Sequence, residues 1–367
     1  MIADLDNATA ALLQRFGFDE PLFERLRGLV ASGELSPASN LIRVAIEPPG
    51  PDDVVPLPAE GEARYDEARA AGLKALRRAE VAQVVLAGGM ATRFGGVVKA
   101  VLPAVDGLSF LEAKLSQTNV LEQALETTVP VALMTSFATD DVIRRHVAER
   151  GLGDPLVFHQ FVSLRLEPSG ELFRDAGGAA SPYAPGHGDL FRALRGSGTL
   201  DELRARRVRL VIVSNVDNLG ARLDPVVLGM HLLAGRPVTC EVARKEGDMG
   251  GAPVRVNGKL QLVEGPRFPP WFDQGLVPVF NTNTAVFDLD ALDVDYDLSW
   301  LYVEKDVEGR AAVQLERLYH EVSALVETTY LEVPRRGPRG RFLPIKTPAD
   351  LERAQGDLRE LVSASPI

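Results

Sequence analysis

Small residues and two cations follow one short apolar run of the chain. The segment LAGGMATRFGG, residues 86–96, comes after the run VAQVVL, and its glycines would let backbone amides approach a phosphate or a base. Arg93 and Lys99 place positive charge beside this loop. The segment matches neither a Walker A loop nor the GxGxxG dinucleotide motif. A ligand-binding loop is one interpretation, and a plain strand-to-helix turn with a solvated arginine is the other.

Two further loops carry a histidine and a carboxylate. YAPGHGDLFRAL places His187 between glycines ahead of an amphipathic helix, so the loop could lie against a flat ligand. In VSNVDNLGA, Asp217 follows an apolar strand, where a carboxylate can hold Mg²⁺ or a ribose hydroxyl. A surface histidine and an Asx turn are the alternative interpretations.

Two segments carry side chains that suit sugar hydroxyls. GGAPVRVNGKLQLVEGP is typical of a hairpin that turns at Asn257 and Gly258 and ends at Glu264. FNTNTAVFDL is strand-like and puts Asn281 and Asn283 on one face, because side chains alternate along a strand. Amides can both donate to and accept from a hydroxyl group.

Positive charge returns near the carboxyl end. RFLPIKTPADL sets Lys346 between Pro344 and Pro348, which restrict the backbone. A solvated charge is the alternative interpretation of this lysine. RRGPRGR, residues 335–341, could extend a basic surface towards phosphates, although a solvated loop is the favoured interpretation.

The pattern of apolar runs predicts the fold that positions these residues. Strand-like runs alternate with helix-like segments, and this favours an α/β fold with a Rossmann-like, mixed and largely parallel sheet flanked by helices. The strand-like runs are residues 81–86, 129–134, 208–215 and 238–243, and the helical patterns are residues 111–125, 140–150 and 225–233. Ligands in such folds bind beyond the carboxyl ends of the strands.

We expect three parts along the chain. Residues 1–62 are predicted to be a helical amino-terminal segment, with apolar positions at helical spacing from Leu12 to Leu29, and a linker rich in Pro, Gly and acids at residues 47–62. Residues 63–334 are predicted to be the catalytic domain. Residues 335–367 are predicted to be a short carboxyl-terminal segment that carries Lys346 and ends in one helix.

Composition excludes several classes of function. The formal charge of -11 over 367 residues argues against a general affinity for nucleic acid or anionic membranes. The single cysteine, Cys240, cannot form an internal disulfide, and no Cys/His cluster has zinc-ligand spacing. Neither a signal peptide nor a run of about 18 apolar residues is present. We therefore expect a cytoplasmic protein.

Taken in order, the motifs resemble those of the UTP-glucose-1-phosphate uridylyltransferase family, also called UDP-glucose pyrophosphorylase. The resemblance covers residues 81–355 and rests on six ordered motifs, including PGHGD, SNVDNLGA, GKLQLVE, FNTN and RFLPIKTPADL. The pattern LAGGxxTRxG is also similar to that of the related UDP-N-acetylhexosamine pyrophosphorylases, but NTN and RFLPIK favour the glucose branch.

The resemblance implies roles for individual residues. Contacts with uracil are implied for Leu86, Ala87, Gly88, Gly89, Gln160 and Gly186. The nucleotide-sugar site would be lined by His187, Asn215, Gly251, Glu264 and Asn283. Asp217 would place the nucleotide and its Mg²⁺, and Lys99 and Lys346 would bind phosphates. To these we add Asn281, from its position on the strand, and Arg93, from its charge.

The implied reaction joins UTP to glucose 1-phosphate with Mg²⁺ as cofactor. Two alternatives stay open: the same chemistry on N-acetylglucosamine 1-phosphate, and a nucleotide-sugar-binding regulatory protein without turnover. The second is motivated by two departures from the family pattern, Ala91 in place of glycine and a one-residue shift of Lys99. Longer eukaryotic members continue into a carboxyl-terminal β-helix used for association, which we do not expect here. A monomer or small homo-oligomer is therefore expected.

Overall fold

The computed structural model of the chain describes residues 5–343 and 345–364. Within these residues the α-helices are α1 (Asn7–Arg15), α2 (Glu20–Ala31), α3 (Ala63–Arg77), α4 (Phe110–Leu125), α5 (Asp140–Arg150), α6 (Leu190–Gly196), α7 (Thr199–Ala205), α8 (Pro225–Ala234), α9 (Pro348–Arg353) and α10 (Gln355–Ser363). The strands are β1 (Ile46–Glu47), β2 (Val54–Pro56), β3 (Val81–Leu86), β4 (Met90–Ala91), β5 (Val97–Val98), β6 (Pro103–Val105), β7 (Leu108–Ser109), β8 (Val131–Thr135), β9 (Leu156–His159), β10 (Ser163–Leu164), β11 (Pro182–Tyr183), β12 (Leu210–Asn215), β13 (Val238–Arg244), β14 (Ala252–Val256), β15 (Lys259–Val263), β16 (Val279–Asp288), β17 (Leu301–Val307), β18 (Arg310–Glu316) and β19 (Thr328–Glu332).

An eight-stranded sheet forms the centre of the molecule, in the order β2-β19-β13-β16-β12-β3-β8-β9. Strand β16 runs antiparallel to both of its neighbours, β12 and β13, and the other neighbouring pairs are parallel. The predicted mixed, largely parallel sheet is thereby confirmed.

Both faces of the sheet are covered, which explains why its strands are mostly apolar. Along β3, Ala82 and Val84 belong to the core under α6 and α7. Val81 and Val85 face the opposite cores, which include residues of α3, α4 and α8. The chain therefore forms helix, sheet and helix layers around one sheet.

Helices α3 and α8 cross at two glycines. A Cβ atom on Gly72 would overlap the carbonyl oxygen of Pro225, and one on Gly229 would overlap that of Ala68. The absence of a side chain at both positions lets the two backbones touch. Because α3 leads into β3 and α8 follows the turn after β12, this contact holds two of the site-bearing strands in place.

The amino-terminal segment, for which the apolar spacing predicted a helical structure, contains two helices, α1 and α2. The break falls at Gly17, whose φ of +66° ends the first helix and whose Cβ would lie 2.9 Å from the ring of Phe161. Leu13 and Phe23 pack into a core shared with Val313 of β18. These helices thus cover the hairpin β17–β18.

The stretch predicted as a linker, residues 47–62, contributes to two sheets. Its first residue ends β1, which pairs with β14, and β2 forms the edge of the central sheet beside β19. Pro56 fits there because an edge strand needs no donor on its outer side. At the other end, the single helix predicted for residues 349–361 is two helices, α9 and α10, with Leu358 and Leu361 buried.

The carboxyl ends of β3, β8, β9 and β12 meet at one edge of the sheet. Because β16 is reversed, its amino end lies at the same edge. The loops expected to bind ligand are therefore brought together. In the described part of the chain, no helix combines the length and apolar character needed to span a membrane.

Candidate active site

The glycine-rich loop after β3 is fixed between two neighbouring strands. The N–H of Ala87 donates to the carbonyl of Met134 at 2.8 Å, and the N–H of Val216 donates to that of Leu86 at 3.1 Å. The hydroxyl of Ser136 donates to the carbonyl of Gly88 at 2.9 Å. The loop backbone is therefore held rigidly at the sheet edge.

Gly88 and Gln160 lie against each other at one end of this edge. A Cβ atom on Gly88 would overlap Nε2 of Gln160. Gln160 follows β9, its N–H donates to the carbonyl of Thr135 at 3.0 Å, and its side chain is buried. Its Oε1 has no hydrogen-bond partner among the described residues. A buried amide with a free acceptor is well suited to the edge of a base.

The first motif continues into a small hairpin, β4–β5. Arg93 lies in its turn and is exposed. Ala91, which stands where the family has glycine, is buried in β4, and its φ is not positive. An alanine is therefore accommodated there without backbone strain.

Lys99 and Asp217 form an ion pair across the mouth of the site. Nζ of Lys99 donates to Oδ2 of Asp217 and, at 2.8 Å, to the carbonyl of Ile345. About a fifth of each side chain is exposed, 20% for Lys99 and 22% for Asp217. The lysine thus connects the turn after β12 to the segment that carries Lys346.

Lys346 directly follows Ile345, whose carbonyl accepts from Lys99, and its side chain is exposed. Its N–H donates to Oδ2 of Asp350 at 3.1 Å at the start of α9, while Pro344 lies outside the described residues. Burial alone would raise the pKa of Asp248, but Arg335 and, more weakly, the charge of Lys346 lower it overall. Because the side chain of Lys346 is exposed, its ammonium group is available to a ligand.

His187 is held as a neutral ring. Gly186, before it, has a φ of +94°, and a Cβ there would lie 2.7 Å from the carbonyl oxygen of Arg317. Nδ1 of His187 accepts from the N–H of Tyr319 at 3.2 Å. Burial lowers the pKa of His187 to about 4.

Asn281 and Asn283, both on β16, have different hydrogen-bond partners. Nδ2 of Asn283 donates to Oδ1 of Asn215 at 2.8 Å, which joins β16 to the end of β12. Asn283 has a φ of +58°, and its N–H donates to Oδ1 of Asn281 at 3.0 Å. The hydroxyl of Tyr319 donates to the carbonyl of Asn283 at 3.1 Å. A bulge at this point in β16 accompanies the unusual backbone.

Gly251 and Glu264 meet at the base of the predicted hairpin, β14–β15. A Cβ on Gly251 would lie 2.6 Å from Oε2 of Glu264, and Nδ2 of Asn281 donates to Oε1 of Glu264 at 3.4 Å. Burial raises the pKa of Glu264 to about 7, the charge of Glu321 adds to the rise, and Asn281 opposes it. This carboxyl group is therefore poised between its two protonation states at neutral pH.

Three consecutive residues that were not predicted as site residues, Tyr319, His320 and Glu321, lie behind these side chains. Tyr319 contacts both His187 and Asn283, and Glu321 influences Glu264. His320, between them, is fully buried, and neither ring nitrogen has a partner in the described part of the chain. No motif marks this segment in the sequence, and its position depends on long-range packing.

The basic loop of residues 335–341 is partly solvated, and most of its arginines pair with carboxylates. Arg335 pairs with Asp248, and Arg336 pairs with Glu246. Arg341 is fully buried, and its guanidinium group binds both carboxylate oxygens of Glu241 at 2.7 and 2.6 Å. Pairing with carboxylates speaks against a basic lip, and the solvated-loop interpretation holds for Arg336, whose side chain is 79% exposed, but not for Arg341.

Asp217, in the turn after β12, is the carboxylate that we consider for a divalent cation. Within residues 5–343 and 345–364, no cluster of three acids, histidines or cysteines could hold a metal alone. Mg²⁺ in nucleotide sites is usually held by one or two carboxylates together with substrate phosphates. Asp217 fits such a site because it is partly exposed at the sheet edge.

The sequence profile of the family described as UTP-glucose-1-phosphate uridylyltransferase matches residues 38–365. The chain belongs to this family. Nucleotidyltransferases of this family generally use a divalent metal ion.

Sequence relatives with the name UTP-glucose-1-phosphate uridylyltransferase agree with this family membership. The UTP-glucose-1-phosphate uridylyltransferase of Solanum tuberosum is 31% identical over 98% of this chain and 77% of its own length. That of Hordeum vulgare is 31% identical over 76% of this chain and 62% of its own length, so the chain spans less than two thirds of the barley protein.

Solved structures also resemble this uridylyltransferase family member. UDP-glucose phosphorylase from Trypanosoma brucei has a TM-score of 0.74 at 25% identity, over 92% of this chain and 76% of that one. The uridine diphosphate N-acetylglucosamine pyrophosphorylase of the same organism has a TM-score of 0.73 at 20% identity, over 89% and 75%. The second likeness shows only a shared fold.

Proposed function

We propose that this chain transfers a uridylyl group from UTP to glucose 1-phosphate, releasing pyrophosphate and forming UDP-glucose. The observation that carries the proposal is the contact of Lys99 with both Asp217 and the carbonyl of Ile345. It places a cation beside a carboxylate at the strand ends. Family membership adds the substrates.

In this reaction an oxygen of the sugar phosphate attacks the α-phosphorus of UTP. A new P–O bond forms, the bond to the bridging oxygen of the β-phosphate breaks, and the electron pair leaves with pyrophosphate. The chain supplies no nucleophile to this step. Its contribution is in-line positioning of two anions and reduction of their repulsion.

Each end of the site suits one part of the substrates. Gln160, with its free amide oxygen, would read the uracil edge against Gly88. Asn283 and Glu264 would accept hydrogen bonds from the sugar hydroxyls and donate hydrogen bonds to them. His187 would donate a hydrogen bond from Nε2. The contacts of these side chains with the sheet keep them oriented before substrate binds.

Lys99, Lys346 and Arg93 would provide the positive charge in an otherwise acidic protein. Lys99 is already directed into the site by two acceptors, whereas Lys346 and Arg93 are exposed. We propose Mg²⁺ as the divalent ion, held by Asp217 and the phosphates. When bound, it would neutralise phosphate charge.

A binding protein without turnover is the alternative of another class. Its two motives were Ala91 and the shifted Lys99. Ala91 has an unstrained backbone, and Lys99 contacts Asp217 despite the shift. Both observations support the enzymatic proposal.

The test is a pyrophosphate-release assay with four nucleoside triphosphates and several sugar 1-phosphates, in Mg²⁺. We expect turnover with UTP and glucose 1-phosphate. Preference for N-acetylglucosamine 1-phosphate would replace the sugar assignment, and equal use of ATP and UTP would contradict the role of Gln160. Tight UTP binding without pyrophosphate release would favour the binding protein.

The assembly and location are proposed on the same footing. We propose a monomer or small homo-oligomer that acts in the cytoplasm without nucleic acid or membrane partners. The acidic composition supports the absence of those partners. Light scattering that gives a large assembly would contradict the first statement.

A further inference from the structure

A fully buried lysine lies behind the turn that carries Asp217. Lys114, on α4, is 0% exposed, and its Nζ donates to the carbonyls of Asn218 and Ala221, both at 2.7 Å. Burying an ammonium group is costly, and an apolar side chain of this size would avoid the cost. The described residues form no ion pair with it. Its presence therefore indicates a task in the turn.

The turn depends on α4 for its hydrogen bonds. Residues 218–221 are buried, so their carbonyl groups need partners inside the protein. Lys114 satisfies two of them, and Nε2 of Gln117, one helical turn further along α4, donates to the carbonyl of Leu219 at 3.1 Å. One face of the helix thus holds the turn from below.

The opposite side of the turn is held by the segment that leads to Lys346. Nδ2 of Asn218 donates to the carbonyl of Arg341 at 3.0 Å. A Cβ on Gly220 would lie 2.7 Å from the carbonyl carbon of Arg341, so the two backbones touch. Arg341 is itself anchored on Glu241 of β13. The turn has no room to shift towards this segment.

Lys99 completes the arrangement on the side of the site. It contacts Asp217, at the start of the turn, and the carbonyl of Ile345, beyond Arg341. A shift of the turn would therefore move Asp217 relative to Lys99 and to the phosphates. Small displacements of charged side chains relative to the reacting phosphates lower kcat steeply.

We propose that Lys114 is a positioning residue for the reaction, which sets the direction of Asp217 and thereby of Lys99 by holding the carbonyls of Asn218 and Ala221. This inference rests on the proposed function, because it concerns the same site.

The positioning role does not depend on the charge of the lysine. Burial lowers the pKa of Lys114 to about 7, Arg341 adds to the decrease, and Asp217 and Glu241 oppose it. A neutral amine still has two N–H groups and can donate to both carbonyls. The role should therefore persist on either side of neutral pH.

The experiment compares Lys114→Met, which keeps the volume and removes the donors, with Thr118→Val on the same helix. Thr118 is buried, and its hydroxyl donates to Oε1 of Gln83 at 2.9 Å, so its replacement also removes a buried hydrogen bond. Activity is measured with the nucleotide and sugar phosphate pair that turns over best. A wrong substrate assignment would therefore leave this test intact.

For Lys114→Met we expect kcat to fall by about 10- to 100-fold, with KM for the sugar phosphate changed by less than about threefold. The concentration of Mg²⁺ for half-activation should rise, because Asp217 is displaced. Thr118→Val should lower the melting temperature while kcat stays near that of the wild type. A purely structural lysine would behave like Thr118.

Wild-type kcat in folded Lys114→Met, or an equal loss of kcat in Thr118→Val, would overturn the inference. If Lys114→Met does not fold, Lys114→Gln decides, since it keeps a polar side chain but its amide nitrogen ends one bond short of the lysine Nζ and loses the contacts with the carbonyls of Asn218 and Ala221. A reduced kcat in that variant, with unchanged sugar KM, supports positioning. A wild-type kcat in Lys114→Gln overturns it.

Discussion

The backbone N–H of Tyr319 donates to Nδ1 of His187 at 3.2 Å. A ring nitrogen that accepts a hydrogen bond carries no proton, so the neutral imidazole of His187 has its proton on Nε2. Burial lowers the pKa of this ring to about 4, which keeps it neutral near physiological pH. His187 therefore offers a ligand an N–H donor and is not a base.

This arrangement predicts how His187 variants behave. His187→Gln keeps a donor and should retain more activity than His187→Phe, which has none. Between about pH 5.5 and 9, the pH profile of kcat/KM should have the same shape in the wild type and in His187→Gln, because His187 does not ionise in this range. Nitrogen-proton correlation spectra of the imidazole should show the Nε2–H form at pH 6. A cationic ring at that pH would contradict the assignment.

Lys346→Ala should lower kcat by about 100-fold or more, because a positioned charge that stabilises the departing pyrophosphate is lost. Its side chain is exposed, so the melting temperature should hardly change. Lys305→Ala, an exposed lysine on β17, is the matched control. Steady-state kinetics beside thermal unfolding gives the answer, and full activity in folded Lys346→Ala would remove this lysine from the mechanism.

Gly251→Ala should impair use of the sugar phosphate, whereas its neighbour Gly250→Ala should not. The new Cβ at position 251 would lie 2.6 Å from Oε2 of Glu264 and displace that carboxyl group, while nothing lies within 4 Å at position 250. We expect KM for the sugar phosphate to rise by about 10-fold in Gly251→Ala. Equal KM values in the two variants would show that Glu264 does not contact the sugar.

Glu264 should make stability depend on pH. Burial chiefly raises its pKa to about 7, so the folded state binds a proton that the unfolded state has released above its ordinary pKa of 4.5. The associated stability is present below pH 4.5 and is lost as pH rises through about 7. Glu264→Gln, which stays neutral, should therefore melt higher than the wild type at pH 8.

The comparison needs a second pH and a control. At about pH 5 the melting temperatures of the wild type and Glu264→Gln should converge, because both side chains are then neutral when folded. Glu202→Gln, an exposed residue on α7, should show the same difference from the wild type at both pH values. A constant difference for Glu264→Gln would contradict the raised pKa.

Much of this fold was predictable because its strands are buried on both faces. VAQVVL and LVIVSN are short, mainly apolar runs that lead into polar or small residues, and they form β3 and β12 side by side. The pairing of Lys99 with Asp217 was not predicted, but both residues were candidates, Asp217 because it follows such a strand and Lys99 because its charge lies beside the loop after the other one. Local patterns thus indicated the members of the site.

Other features depend on contacts that no local pattern contains. The reversal of β16 follows from pairing with β12 and β13, and β2 is a strand only because β19 lies beside it. Tyr319 joins His187, which lies 132 residues earlier in the sequence, to Asn283, which lies 36 residues earlier. The division at residues 62 and 334, and the roles of the individual site residues, stay predictions.

The reversed direction of β16 has a consequence for how recognition can change. Strand β13 ends at the edge that carries the site, and β16 begins there, so the hairpin-bearing segment of residues 245–278 leaves and re-enters the sheet on one side. This segment carries Gly251 and Glu264, whereas Asp217 and the glycine-rich loop follow β12 and β3. Substitutions at its exposed positions could therefore change the proposed choice of sugar in evolution or protein engineering, while the strands that carry the proposed phosphate site keep their pairing.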